Sequence, residues 1–148
     1  MPTMDDVERF LADEHGLAVV STASADGRVL SSVVNCGVMA HPANGEPVVA
    51  FVSGGRAARL THIRRGAPVT VAVRRGWQWV GVDGPAELIG PDDTADGFDA
   101  NRIRLLLREV FQSAGGTHDD YDEYDRAMLE DRRAAVFVRP VRVLGTVR

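Results

Sequence analysis

The 148-residue sequence contains no lysine, so all 17 of its basic residues are arginine. Without lysine the chain cannot form a Schiff base with a substrate or with pyridoxal phosphate, and it has no lysine general base. Any site for an anionic ligand must therefore use arginine, hydroxyl groups or backbone N–H groups.

Cysteine, long apolar runs and excess positive charge are also scarce. The single cysteine, Cys36, excludes an intrachain disulfide and a thiolate metal cluster, and it indicates a reducing, cytoplasmic setting. No apolar run approaches the roughly 18 residues of a membrane span, and the acidic residues before position 14 argue against a signal peptide. The net charge of −4 disfavours nucleic acid as a partner. We therefore expect neither a membrane nor a nucleic-acid partner.

What the sequence does contain is a series of short apolar runs separated by turn residues. Its length and its 45% hydrophobic content fit a single domain over residues 1–148. The pattern predicts about six strands, at residues 17–22, 28–39, 48–53, 69–74, 78–89 and 134–147, the last broken at Pro140. Helical spacing predicts helices before Gly16 and at residues 56–65, 94–111 and 119–129. This combination favours a barrel whose openings are covered by helices.

The turn from the third strand into the next helix is the strongest candidate binding site. Ser53 is followed by Gly54 and Gly55, and the helix is predicted to begin at once. Free N–H groups and the helix dipole favour an anion at such a position. Arg56 and Arg59 lie three residues apart, so both are expected on one face of the first turn, where guanidinium groups bind phosphate well. The alternative is a surface helix with solvated arginines.

Other polar and aromatic residues give weaker indications. The hydroxyls of Ser31 and Ser32 face either a ligand across the barrel or solvent. Trp77 and Trp79 are predicted to point to the same side of one strand, where they would stack on a planar ring, pack in the core or form an interface. His62 is the one histidine close to the basic helix, and the four histidines lack the spacing of a helical metal site. The sequence has no Gly-x-Ser-x-Gly, P-loop or Gly-x-Gly-x-x-Gly pattern.

Seven short segments occur in a fixed order along the chain. They are residues 26–33 (DGRVLSSV), 59–65 (RLTHIRR), 76–77 (GW), 84–88 (GPAEL), 116–121 (GTHDDY), 131–133 (DRR) and 140–145 (PVRVLG). In this order they resemble the pyridoxamine 5′-phosphate oxidase-like family, and most closely its actinobacterial F420-dependent branch. The resemblance implies a mainly β fold, namely a split β-barrel of the FMN-binding type with about six antiparallel strands and peripheral helices.

The resemblance also implies a homodimer with two cofactor sites at the subunit interface, each taking the deazaflavin F420 or, as the alternative, FMN. The basic residue that holds the phosphate in this family falls on Arg59, and the serine near the ring system falls on Ser32. The family often has asparagine at position 62 and a second basic residue at position 57 or 61, so Arg56 is a candidate substitute. The candidate cofactor-binding residues are Arg59, Arg56, Ser32, Val33, Ser53, Ala58, Thr61, His62 and Trp79.

The function that the resemblance implies is hydride transfer between reduced F420 and a small unsaturated organic substrate. The cofactor carries the hydride in such a reaction, so no side chain is predicted to be catalytic. Two alternatives stay open. One is an FMN-binding pyridoxamine phosphate oxidase-like protein, and the other is a non-catalytic carrier of F420 or flavin. A plain dimeric scaffold would bind neither cofactor.

Overall fold

The computed structural model describes residues 1–147 and shows a mainly β fold with four helices in this range. The strands are β1 (Leu17–Ala23), β2 (Val29–Ala40), β3 (Pro47–Ser53), β4 (Val69–Arg75), β5 (Gln78–Gly84), β6 (Ala86–Ile89), β7 (Ala134–Val138) and β8 (Arg142–Gly145). The helices are α1 (Met4–Asp13), α2 (Ala58–Arg64), α3 (Ala100–Ser113) and α4 (Tyr121–Glu130). The strands lie in the order β6-β7-β3-β2-β1-β4-β5-β8, and each is antiparallel to its neighbours.

The sheet curls into a barrel because each edge strand follows, along the chain, a strand that lies near the opposite edge. Edge strand β6 follows β5, and edge strand β8 follows β7. β5 pairs with β8, and beyond a bend in both segments β6 pairs with β7. At the bend, the N–H of Arg139 donates to the carbonyl of Pro85 at 2.9 Å, and the N–H of Val141 donates to the carbonyl of Asp83 at 3.0 Å. The ladder of hydrogen bonds therefore runs on through the bend.

The strand count of eight corrects the prediction of about six. The predicted strand at residues 78–89 divides at Gly84 and Pro85 into β5 and β6, which pair with different strands. The predicted strand at residues 134–147 divides in the same way at Pro140 into β7 and β8. A Cβ atom on Gly84 would lie 1.8 Å from the carbonyl oxygen of Arg139, so the two bends meet where only glycine fits. Sequence alone indicated the breaks but not the change of partner.

β2 is shared between the two halves of the sheet. Its residues 29–35 pair with β1, whereas its residues 36–40 pair with β3. Within the described chain, the first half of β2 has no register partner on the side of β3, and an opening separates it from the end of that strand. This opening is where the barrel is split.

Apolar side chains fill the barrel and one flank of the sheet. Completely or almost completely buried residues of the interior include Val20, Phe51, Val71, Val82 and Val136, and α1 covers one end of this core with Val7, Phe10 and Leu11. A second cluster, between the sheet and α3, contains Val48, Ala50, Leu106, Val110 and Phe137. Each fully buried aliphatic or aromatic side chain contributes about 1.5–3 kcal/mol relative to the exposed state.

Three of the predicted helices begin later than expected. For two of them, the residue that caps the helix explains the later start. α3 starts at Ala100 rather than at residue 94, because the Asp99 carboxylate accepts a hydrogen bond from the N–H of Arg102 at 2.8 Å and caps the helix. α4 starts after Asp120, which accepts from the N–H of Asp122 at 3.1 Å. α2 begins at residue 58 instead of 56. No helix among residues 1–147 combines the length and apolar character needed to span a membrane.

Candidate functional site

Arg59 reaches across the opening between the two halves of the barrel. Its Nη2 donates to Oγ of Ser32 on β2 at 2.7 Å, and its Nη1 donates to Oγ of Ser53 at the end of β3 at 3.0 Å. Ser53 is completely buried, and Ser32 lies on the first half of β2, which pairs with β1 but not with β3. The structure therefore brings together three residues that were predicted to bind the cofactor.

No carboxylate among residues 1–147 forms an ion pair with Arg59, and the hydrogen bonds of its guanidinium go to hydroxyl groups. Burial lowers the pKa of Arg59 from its ordinary value. The ionised form of Cys36 would raise this pKa, and the positive charge of Arg133 lowers it. Since a guanidinium stays protonated in proteins despite such shifts, the opening holds a partly buried positive charge that lacks a counter-ion. An anionic ligand would supply one.

Arg56 does not share a helix face with Arg59, so this prediction was wrong. Arg56 lies in the turn before α2 and is exposed, because the helix begins only at Ala58. Ala58 and Thr61 are exposed on α2 itself. Their place in the cofactor site, like that of Arg56, stays a prediction.

His62, Val33 and Trp79 lie in three different environments. His62 is buried, and its Nδ1 atom lies 2.8 Å from Oγ1 of Thr22 in a core hydrogen bond. Val33 is exposed on the outer side of β2. Trp79 lies on β5, three strands away from β2 in the sheet, with its ring over Gly81. Trp77 does not share a strand face with it, because residue 77 lies in the turn before β5 and is fully exposed.

A cavity of about 420 Å³ adjoins the opening. Arg59 and Arg133 provide positive charge on its wall, and Gly54 and Asn35 provide further polar groups. The rest of the lining is mainly apolar and comes from β2, β3, α3 and α4, namely Val33, Val34, Val52, Val110, Phe111, Ala114, Tyr124 and Met128. An apolar cavity with a few convergent polar groups is the usual form of a small-molecule site.

Arg133 is the charged residue of this cavity that the sequence did not indicate. It lies just before β7, and β7 pairs with β3 so that Ala134 lies opposite Ser53. Arg133 belongs to the segment 131–133 that contributed to the family resemblance. That segment is 80 residues away from Ser53 in sequence, so only the pairing of the two strands shows that it borders the opening.

A larger cavity of about 740 Å³ lies between α3, α4 and residues 91–99. Its lining is mostly apolar, but several charged groups there already have partners within the chain. Arg104 donates to Asp125 at 3.0 Å, and Arg132 donates to Asp92 at 2.7 Å. We therefore consider the smaller cavity beside Arg59 to be the better candidate for an anionic cofactor.

Cys36, which is close enough to Arg59 to affect its pKa, and Tyr124, which lines the smaller cavity, are poorly suited to proton transfer. Burial raises the pKa of the Cys36 thiol to about 12. Burial also raises the pKa of Tyr124 to about 12, and its hydroxyl donates to the carbonyl of Leu107 at 3.1 Å. These two residues therefore stay protonated near neutral pH.

Comparison with known proteins supports the fold at low sequence identity, while no family model matches the chain. A conserved hypothetical protein of Mycobacterium tuberculosis, Rv2991, is similar with a TM-score of 0.67 and 13% identity over 98% of this chain and 84% of that chain. A pyridoxamine 5′-phosphate oxidase-related, FMN-binding protein of Nostoc punctiforme has a TM-score of 0.65 and 14% identity, with 98% and 84% coverage. PhzG of Burkholderia lata, solved with tetrahydrophenazine-1-carboxylic acid, has a TM-score of 0.62 and 13% identity, with 96% and 78% coverage.

These likenesses define the class of fold. The chain has the split β-barrel that is also found in an FMN-binding protein related to pyridoxamine 5′-phosphate oxidase. The predicted fold class is therefore confirmed, with eight strands in place of about six.

Proposed function

We propose that this protein is an F420-dependent oxidoreductase that transfers a hydride between reduced F420 and a small unsaturated organic substrate. The observation that carries the proposal is the uncompensated guanidinium of Arg59, held across the barrel opening by two serine hydroxyls. A phosphate is the kind of group that such a guanidinium binds. The cavity beside it has the mainly apolar lining that a ring system needs.

In this proposal the protein binds and orients the cofactor. Bound F420 supplies the hydride-transfer chemistry, which needs no acid or base from the chain. Ser32 and Ser53 fix the position of Arg59, and Arg59 holds the phosphate end of the cofactor. The apolar side chains of the cavity, such as Val52 and Val110, would exclude water from the ring.

The choice of F420 over FMN depends on one feature of the sequence and one of the structure. The segments described above resemble the F420-dependent branch. Arg56 is exposed in the turn next to Arg59, where it would meet the acidic tail of F420. FMN is the second candidate, because one protein of the same fold is described as FMN binding.

We also propose a homodimer formed through the outer face of the sheet. Val33, Val19, Ala72, Gly81 and Leu144 lie opposite one another in a row across β2, β1, β4, β5 and β8. The exposed fractions of Val33, Val19 and Leu144 are 66%, 43% and 41%. A contiguous apolar surface of this kind marks an interaction site. Since Val33 also lines the cavity, a partner on this face would cover the cavity mouth.

The dimer is tested by sedimentation velocity of the wild type and of Val19→Asp. We expect a dimer for the wild type and a monomer for the variant, because a charge at the centre of an apolar interface is left without a partner. Leu129→Asp is the matched control, since Leu129 is 64% exposed on α4, outside the row. A monomeric wild type would refute the homodimer.

The cofactor is tested by tryptophan fluorescence during parallel titrations with F420 and FMN. We expect micromolar binding of F420 and a loss of about 100-fold in Arg59→Ala, since a charge-assisted bond to phosphate is removed. Arg104→Ala is the control, because Asp125 already compensates Arg104. Equal affinity in Arg59→Ala would remove this residue from the site. Tight binding of FMN alone would reverse the choice of cofactor.

A carrier and an enzyme need the same binding site, so they are separated by turnover. If the protein is an oxidoreductase, reduced F420 is oxidised in the presence of a suitable unsaturated compound at a rate that depends on protein concentration. A protein that binds F420 but oxidises it with no member of a panel of such compounds is a carrier.

A further inference from the structure

We infer that Arg133 is a second anion ligand of the opening, and that Arg59 and Arg133 together bind one phosphate group. The inference rests on the proposed function, because it concerns the cofactor end of the same cavity. It adds a residue that neither the sequence pattern nor the family resemblance assigned to the site. It also assigns the phosphate to two arginines rather than to Arg59 alone.

The first argument is that a hydrogen bond and close packing hold the segment 131–133 against the opening. The N–H of Gly55 donates to the carbonyl of Asp131 at 3.0 Å. A Cβ atom on Gly55 would lie 2.4 Å from that same oxygen and 2.5 Å from the carbonyl oxygen of Arg132. Glycine at position 55 is therefore required for close packing of this segment. That packing places Arg133 beside the turn that precedes Arg59.

The second argument is the backbone at Arg132, between Asp131 and Arg133. Arg132 has a φ of 47°, one of two non-glycine residues with positive φ among residues 1–147. Such a conformation is uncommon outside glycine, asparagine and aspartate, and it concentrates at functional sites. At this position it lets the side chains of Arg132 and Arg133 extend into different surroundings. Arg132 donates to Asp92, whereas Arg133 lines the cavity with Arg59.

The third argument is an unsatisfied polar group. The Nε atom of Arg133 is buried and has no hydrogen-bond acceptor in the described chain. It lies 2.6 Å from Oδ2 of Asp131, but its N–H is not directed at that oxygen, so the contact is an ion pair without a hydrogen bond. Because Nε is enclosed, a ligand oxygen in the cavity would reach Arg133 at its terminal nitrogen atoms, and the side chain as a whole is 38% exposed. The contact with Asp131 is made at Nε, so it leaves those terminal donors available for an anion.

The fourth argument is the balance of charge. Two guanidinium groups line the cavity, and the positive charge of Arg133 opposes the protonation of Arg59. The carboxylate of Asp131, beside Arg133, compensates only one of these charges. A phosphate ester supplies the missing negative charge and has several oxygen atoms for two planar donors. An uncharged ring system would supply no negative charge, so the two guanidinium groups would still have only one carboxylate between them.

The test compares Arg133→Gln with Arg132→Gln, a matched control that removes the same charge from the adjacent residue. Both variants are titrated with F420, FMN and riboflavin, and riboflavin carries no phosphate. We expect Arg133→Gln to weaken binding of the phosphate-bearing cofactor about tenfold or more. Binding of riboflavin and the affinity of Arg132→Gln should stay within about twofold of the wild type. Circular dichroism melting shows whether each variant is folded, and Arg133→Lys replaces Arg133→Gln if that variant is not.

Each outcome decides the question. Wild-type affinity of F420 and FMN in folded Arg133→Gln, or an equal loss in Arg132→Gln, would overturn the inference and leave the proposed function standing. If the wild type binds neither cofactor, the proposed function fails, and thermal stabilisation by inorganic phosphate or pyrophosphate then tests Arg133 alone. Stabilisation that is lost in Arg133→Gln but kept in Arg132→Gln would support the second anion ligand. Absence of stabilisation would overturn it as well.

Discussion

The helical layer and the barrel opening use arginine in opposite ways. Between α3 and α4, Arg104 and Arg108 both donate to the carboxylate of Asp125, at 3.0 Å from Nη1 of Arg104 and 2.9 Å from Nε of Arg108. In the opening, Arg59 donates to the hydroxyls of Ser32 and Ser53, and no carboxylate of residues 1–147 forms an ion pair with it. The charge of arginine is thus compensated by a carboxylate between the helices and left uncompensated in the opening.

This difference separates structural arginines from candidate ligand-binding arginines. In a chain without lysine, one residue type must serve both purposes, so its identity alone carries little information. A guanidinium that donates hydrogen bonds to its own carboxylate contributes to the fold, and an added anion would have to compete with that partner. A partly buried guanidinium that contacts only neutral oxygens keeps its attraction for an anion. Arg133 is intermediate between the two cases, because its ion pair with Asp131 lacks a hydrogen bond. Three substitutions would break or sharpen this comparison.

The largest effect is expected from Gly55→Ala, which acts on the opening through packing. The added methyl group would collide with the backbone of residues 131 and 132, and backbone atoms cannot move away cheaply. We expect the variant to lose about 3 kcal/mol of unfolding free energy and to bind F420 more weakly than the wild type. Urea unfolding measures the first effect, and fluorescence titration the second.

Gly27→Ala is the control for this substitution. Gly27 has a φ of 85°, and a Cβ atom there would meet nothing within 4 Å, so only conformational strain of about 1 kcal/mol is expected. A loss no greater in Gly55→Ala than in Gly27→Ala would show that the segment 131–133 is not fixed by this contact.

A smaller effect is expected from Asp125→Asn, which acts on the compensated region. The hydrogen bonds from Arg108, and then those from Arg104, hold the pKa of Asp125 below its ordinary value of 3.8. The carboxylate therefore stabilises the folded state at pH values above 3.8, and this contribution disappears as the pH falls through the lowered pKa. We expect Asp125→Asn to be about 2 kcal/mol less stable than the wild type at pH 7.

The pH dependence of the same variant tests whether Asp125 stabilises the folded state in its ionised form. Unfolding of wild type and Asp125→Asn is compared between pH 7 and pH 3, and the difference between them should shrink below about pH 4. A difference that stays constant down to pH 3, or a variant as stable as the wild type at pH 7, would contradict the assignment. Cofactor affinity at pH 7 should not change, because Asp125 lies outside the smaller cavity.

The smallest effect is expected from Arg56→Gln. Arg56 is exposed in the turn before α2, so it would contact only the acidic tail of F420. Solvent would screen the attraction between these charges. We expect about threefold weaker binding of F420, which corresponds to the energy of an exposed ion pair, and no change for FMN. A loss as large as that of Arg59→Ala would show that Arg56 binds the phosphate itself.

The sequence predicted the short-range features of this fold better than the long-range ones. Hairpin turns and strands up to β4 lie close to the predicted positions, because alternation and turn residues are local signals. The bends at Gly84 and Pro140 were visible as breaks, but their effect depends on contact between Gly84 and Arg139, 55 residues apart. Register between distant strands has no local signal, and the count of about six strands was therefore too low.

The candidate site shows the same limit. Arg59 and Ser32 could be proposed from the resemblance, and Ser53 from its place before two glycines. Gly54 and Gly55 suggested an anion site at a helix start, whereas the structure shows Gly55 making room for residues 131 and 132. Arg133 could not be found, because it reaches the cavity only through the pairing of β3 and β7. His62 was a candidate site residue by position; it is hydrogen-bonded to Thr22 in the core, and its part in the cofactor site stays a prediction.

The most direct test of the central claim is a crystal structure of the protein grown with F420. The account predicts that phosphate oxygens lie within hydrogen-bond distance of the guanidinium of Arg59, with the ring in the cavity that Val33 and Val52 line. A phosphate bound elsewhere, with Arg59 still contacting only Ser32 and Ser53, would contradict the claim that this uncompensated arginine is the cofactor anchor.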